Sequence, residues 1–197
     1  MEEKFPEVGS RSTSMSIRYP SFVDVNNIIS TPSGNSKYRY VLEIPFCDGE
    51  GKTAVLVVLK NPSIATKKEC DRTVSKVCNA THNAGYGKAI IFNLFPIRST
   101  KPEMVFSMFI QHKEAYDKHM KINQKYLSSR ISLVEDVIFA WGTNTIKHRT
   151  GKQYNEAKNE VKRICVNKYW KMVEGGKKEP LHGQRWSNES KFIGYIE

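Results

Sequence analysis

The chain has 197 residues, enough for one domain with a full core, and 39% of them are hydrophobic and 11% aromatic, as in soluble globular proteins. Thirty-one Lys and Arg against twenty Asp and Glu give a formal charge of +11, a surface that attracts polyanions, nucleic acid first and anionic membrane second. No apolar run approaches the roughly 20 residues that span a bilayer, and MEEKFPEVGSRSTSMS carries no apolar signal core, so the cytoplasm is the expected compartment.

Residues 1–16 read as a flexible lead, with a single domain over 17–197. TPSGNS, at positions 31–36, is a turn cluster. KYRYVLEIPF then alternates and is rich in β formers, and CDGEGK supplies turn residues, so this stretch and TAVLVVLK predict a hairpin or the entry to a sheet. Apolar on both sides of its alternation, Thr53–Leu59 has the mark of a central strand covered on both faces. A helix is predicted over positions 68–84, with Val74, Val77, Cys78 and Thr81 on one face and a glycine C-cap in AGYG. KAIIFNLF is a second strand. STKPEMVFSMFIQHKEAYDKHMKINQKYLSSRI is a broken helical region, EDVIFAWG a third strand, and NEAKNEVKRICVNKYW a last helix with Ala157, Val161 and Ile164 on its apolar side. EGGKKEPLHGQRWSN is a loop and KFIGYIE a short terminal strand.

Strands alternating with helices imply crossover connections, hence an α/β fold of three α/β/α layers with a mostly parallel central sheet. Ligands of such sheets sit beyond the carboxyl ends of the strands. Asn61, Asn93-Leu94-Phe95 and Trp141-Gly142 all fall there.

Pro62 forces Asn61 into an extended conformation at the sheet's rim, where its amide can orient a water or a ligand, or satisfy its own turn. Asn93 ends the second strand in a similar way, and its paired donor and acceptor match the edge of a nucleobase. Arg98 lies in a following loop and is suited to a phosphate contact. Asp71 opens the helix either as its N-cap or as an acid aimed into the cleft. His182 lies in a basic loop with Lys177, Lys178, Arg185 and Trp186, a combination that can hold a phosphate backbone and wedge or stack against a base. Cys47, Cys70, Cys78 and Cys165 form no CxxC pair, and the histidines show no metal spacing, so neither metal nor cofactor is expected. No nucleophile elbow, phosphate-binding loop, dinucleotide fingerprint or HExxH motif occurs.

YRYVLEI, LKNPSIAT, CDRT, AGYGKAIIFNLFPIRSTKP and VIFAWG resemble an uncharacterised bacterial and phage family, DUF1643-like, with an LNPSTAD-type motif, an NLF-x-x-R-x-T-x-P segment and a late AWG. Here Lys60 stands inside the first motif and Arg72 between Asp71 and Thr73. The order of strand–N-P–loop–helix, strand–N-L-x-x-x-R-x-T and a late His loop is, more distantly, similar to the uracil-DNA glycosylase superfamily. That resemblance implies its fold and a monomeric enzyme cleaving the N-glycosidic bond of a flipped-out base in DNA, double-stranded for preference. It places Asn61 on the attacking water, Asn93 on the base, Arg98 on the loop or a phosphate and His182 by the departing base; the residues themselves add Asp71 as a third catalytic candidate. Ser63, Phe95 and Tyr86 are further candidate base contacts, and Lys60, Arg98, Lys177, Lys178, Arg185 and Trp186 candidate DNA contacts. Lys60, Ser63 and Gly183 depart from that pattern, which points to a base other than plain uracil, such as a modified base of invading phage DNA. The alternatives are a non-catalytic nucleic-acid or partner-binding module on the same fold, and an enzyme of free nucleotides.

Overall fold

The structure is a computed structural model that describes residues 16–34, 36–99, 103–143, 151–176 and 179–196. Its strands are β1 (Ile29–Thr31), β2 (Val41–Pro45), β3 (Ala54–Leu59), β4 (Lys88–Asn93), β5 (Asp136–Phe139), β6 (Tyr169–Val173) and β7 (Phe192–Gly194). The helices among the described residues are α1 (Arg72–Asn83), α2 (Glu103–Gln111), α3 (Lys113–Ile131) and α4 (Gly151–Ile164).

One sheet holds the seven strands in the order β1-β2-β4-β3-β5-β6-β7. The expectation of a mostly parallel sheet is corrected: β4, β3, β5 and β6 run parallel, but β1–β2, β2–β4 and β6–β7 pair antiparallel, so the sheet is mixed. Of the hairpin or sheet entry expected for this stretch, the sheet entry holds and the hairpin does not. β4 slots between β2 and β3, with Val41 opposite Phe92 and Leu59 opposite Asn93, so the strands joined by CDGEGK are not neighbours. The last predicted helix stops at Ile164, and Tyr169 and Trp170 open β6 instead.

β3 explains why the middle is parallel. Its residues are buried on both faces: Val55, Val57 and Leu59 pack with Val74, Val77 and Cys78 of α1, while Leu56 and Val58 pack with Leu127 of α3 and Val161 of α4. Each such side chain contributes about 1.5–3 kcal/mol when fully buried, and only crossovers on both sides can cover it twice. α1 starts where expected chemistry starts it. Asp71 is its N-cap, accepting a hydrogen bond from Val74 N at 2.8 Å, and the helix ends before Gly85, whose φ of +89° favours glycine. No helix among the described residues is long and apolar enough to cross a membrane.

Candidate functional site at the carboxyl edge

Beyond their last paired residues, the three central strands keep company. Leu94 N donates to Leu59 O at 2.9 Å, Phe95 N to Lys60 O at 3.0 Å, and Ala140 N to Val58 O at 2.8 Å. Lys60-Asn61, Asn93-Leu94 and Trp141-Gly142 therefore emerge side by side at one edge.

Asn61 is clasped there. Its Nδ2 donates to the Ser99 carbonyl, and Ser99 N returns a hydrogen bond to Pro62 O at 2.9 Å. The donor half of the amide is thereby spent on the loop. The acceptor half, Oδ1, receives no hydrogen bond among the described residues and has its orientation fixed by the other half.

Asn93 is fully buried, at 0% exposure, and neither Nδ2 nor Oδ1 has a partner among the described residues. Its backbone is secured instead, by Asn123 Nδ2 donating to Asn93 O at 2.9 Å. Native proteins pair nearly all such groups, and leaving one unpaired costs about 1–3 kcal/mol. This buried amide stands at the end of a central strand, beside Asn61.

His182 reaches the same edge through two glycines. Gly142 has φ of +70°, and a Cβ there would lie 2.8 Å from His182 Cβ. Gly183 N donates to Ala140 O at 3.2 Å, and a Cβ on Gly183 would lie 2.8 Å from Leu59 Cδ2. Gly183 therefore lies close over the Leu59 side chain, which would have to shift to admit a Cβ there. Nδ1 of His182 accepts from Gln184 N at 3.1 Å, which assigns the proton of the neutral ring to Nε2. Burial first, then the charges of Lys60 and Arg185, push the imidazole down to about 4, against a smaller opposing pull from Asp71. It is neutral at physiological pH.

Lys60 bridges two strand ends, donating from Nζ to Thr143 O at 2.6 Å with the Tyr154 ring 5.4 Å away. Burial lowers its ammonium, while Glu179 opposes that shift. Tyr154 in turn donates to the Gly142 carbonyl, fixing the turn on which His182 rests. Asp71 spends both oxygens on backbone: Oδ1 accepts from Val74 N, and Oδ2 from Ala65 N at 3.3 Å. Arg98 Nη1 donates to Ser63 O at 3.0 Å and Ala65 O at 2.9 Å. Ser63 thus enters the site through its carbonyl.

Other predicted residues lie elsewhere. Tyr86 is at the opposite edge, where its hydroxyl donates to Asp136 Oδ2 at 2.6 Å at the start of β5, so it cannot meet a base held by Asn93. Phe95 turns into the apolar cluster with Tyr38 and Met108 and has no open face for stacking. Trp186 is 1% exposed, packed at 5.3 Å against the Phe192 ring, and its Nε1 donates to Leu181 O, so it cannot wedge into a duplex. Arg185 is exposed beside His182. Lys177 and Lys178 lie outside the described residues. No group of metal-ligating side chains assembles among the described residues.

Arg39 escaped the sequence reading. It is 1% exposed and donates from Nη1 to the same Ala65 carbonyl as Arg98, at 2.8 Å. Its signal was alternation: Tyr38 and Tyr40 face one apolar cluster, so Arg39 between them must face the other side.

A model of the family DUF1643, described as a protein of unknown function, matches residues 39–182 of the chain. No curated protein and no solved structure matches it significantly. The matched span begins at Arg39 and ends at His182, so it holds Lys60, Asn61, Asp71, Asn93 and Arg98 as well.

Proposed function

For a chain that belongs to the DUF1643 family, we propose a DNA glycosylase-like activity: hydrolysis of the N-glycosidic bond of a damaged or modified base extruded from DNA, phage DNA included. The reading takes the fold as a relative of the uracil-DNA glycosylases, and the protein as a monomer on double-stranded DNA.

The observation that carries it is His182. Departure of a base leaves negative charge on the ring and an oxocarbenium-like sugar behind, so the reaction needs a donor at the base more than a strong nucleophile. A neutral imidazole with its proton on Nε2 is such a donor, and it spares the site a proton transfer. Asn61 supports the other half: with Nδ2 tied to Ser99, its Oδ1 can accept a hydrogen bond from a water and aim that water's lone pair at C1′. Asn93, fully buried in the free protein, offers its donor–acceptor pair to the base edge once the loops over it part, and that pairing relieves the amide's isolation and helps offset the few kcal/mol of flipping.

The test is duplex oligonucleotides carrying uracil, deaminated, alkylated or hypermodified pyrimidines, together with modified phage DNA, each incubated with the protein and then treated with alkali. Scission at the modified base supports the reading. Intact strands on every substrate, with the protein shown to be folded, sink it.

A further inference from the structure

Beside the amides lies a second feature that base excision does not use. Arg39 and Arg98 sit on paired segments: Tyr38 bridges Ile97, Arg39 N donates to Pro96 O at 2.8 Å, and Arg98 N to Lys37 O at 2.9 Å. Tyr38 and Ile97 fill the cluster beneath α2 and α3, so alternation sends both arginines to the other side, toward Ala65 and the start of α1. There both Nη1 atoms converge on one carbonyl, Ala65 O.

The donors are far from exhausted. Arg39 Nε, Arg98 Nε and Arg98 Nη2 are buried without an acceptor among the described residues. Nor is the charge balanced. Asp71 is the carboxylate whose field both guanidinium groups feel, yet it makes no ion pair with either among the described residues, and both its oxygens serve backbone N–H groups. Burial and the neighbouring Arg98 charge lower Arg39 to about 10, so it stays charged at neutral pH. Two cations against one carboxylate leave a positive excess in a buried place. A buried water would satisfy an N–H but not the charge; an anion does both.

We propose that Arg39 and Arg98 form a phosphate-binding site, taking the phosphoryl group of a nucleotide or of a polynucleotide backbone against their unpaired N–H groups. Three donors from two guanidinium groups suit an anion with three oxygens. The outer wall is the half-buried segment Ser63–Thr66, held by both arginines and by Tyr19, whose hydroxyl donates to Thr66 O at 2.6 Å. Entry of the anion displaces this segment. Because the segment follows Asn61 directly, phosphate occupancy and the setting of the Asn61 amide are linked. The proposal goes beyond base excision and needs no bond cleavage.

The test titrates wild type, Arg98→Lys and Arg98→Gln with inorganic phosphate, a deoxynucleoside 5′-monophosphate and a short oligodeoxynucleotide, by calorimetry at fixed ionic strength. Arg98→Lys keeps the charge and loses the unpaired guanidinium N–H groups. Saturable binding that weakens about tenfold or more in both variants is expected, since a charge-assisted hydrogen bond is lost. Binding of the mononucleotide assigns a free phosphate source, and binding of the oligonucleotide alone assigns the polymer backbone. In case the variants fail to fold, 1H–15N spectra of wild type should show protected arginine Nε–H signals and the Ala65 and Thr66 amides shifting saturably with phosphate. No binding by any of the three probes, equal binding by all proteins, or unmoved Nε–H signals would overturn the site. Base release is not read in these measurements, so a failed glycosylase assay leaves this result intact, and the reverse holds.

Discussion

His182 rests on Gly142: the position a Gly142 Cβ would take lies 2.8 Å from the histidine's own Cβ. The relation ties the late loop to the end of β5 and makes one glycine answerable for the imidazole's placement. Gly142→Ala meets both that overlap and a φ of +70°, so a loss of about 1–3 kcal/mol is expected, with His182 displaced. Denaturant melts should show the loss, and base release should fall far more than DNA binding does.

Proton linkage offers a separate handle on His182. Its ring sits at about 4 when folded, against an ordinary value of 6.5. Between those values the unfolded chain takes up a proton that the folded chain refuses. The contribution is therefore fully present above about 6.5 and is lost as pH falls toward 4, to a maximum on the order of 3 kcal/mol. Melting curves over this window should flatten in His182→Gln; an unchanged slope would show that the ring is not held neutral by its surroundings.

Asn93 gives a prediction with opposite signs for stability and function. Replacing it with Leu removes two buried, unpaired polar atoms at similar volume, so Asn93→Leu should match or exceed wild-type stability, by up to about 2 kcal/mol. Base release should vanish. A variant that is clearly less stable would mean the amide serves the fold.

Asp71 caps α1 and lies in the field of Arg39 and Arg98. Asp71→Asn retains an oxygen for Val74 N and should lose little through the cap, whereas Asp71→Ala should lose about 1–2 kcal/mol through it. The additional penalty common to both substitutions combines the disturbed Ala65 N–H bond with the carboxylate's value to the two guanidinium groups. Comparing their melting temperatures in low and high salt separates the two effects.

The edge itself was legible in the sequence because its signals are local. A both-face apolar run ending at Asn-Pro, a capping Asp71 and a strand-terminal Asn93 need only neighbours in the chain to be read. The order of strands was not, since nothing in CDGEGK records that β4 will insert between the strands it joins. β1 was too short, at three residues, to leave an alternation. Aromatics misled for another reason: exposure of Phe95, Tyr86 and Trp186 is decided by what packs over them, with partners far away in sequence for Phe95 and Tyr86 and close by for Trp186. Arg39 carries no local motif of its own, and pairing with the 96–98 segment turns it inward.

The account stands most directly on base release under single-turnover conditions, followed by mass spectrometry of the free base, for wild type and Asn61→Ala on the same modified DNA. Wild type should liberate the base, and Asn61→Ala should bind that DNA equally while releasing base about a hundredfold more slowly or worse, because the amide acts on the water and not on the complex. Equal rates for the two proteins, or no free base from wild type on any modified DNA, would contradict it.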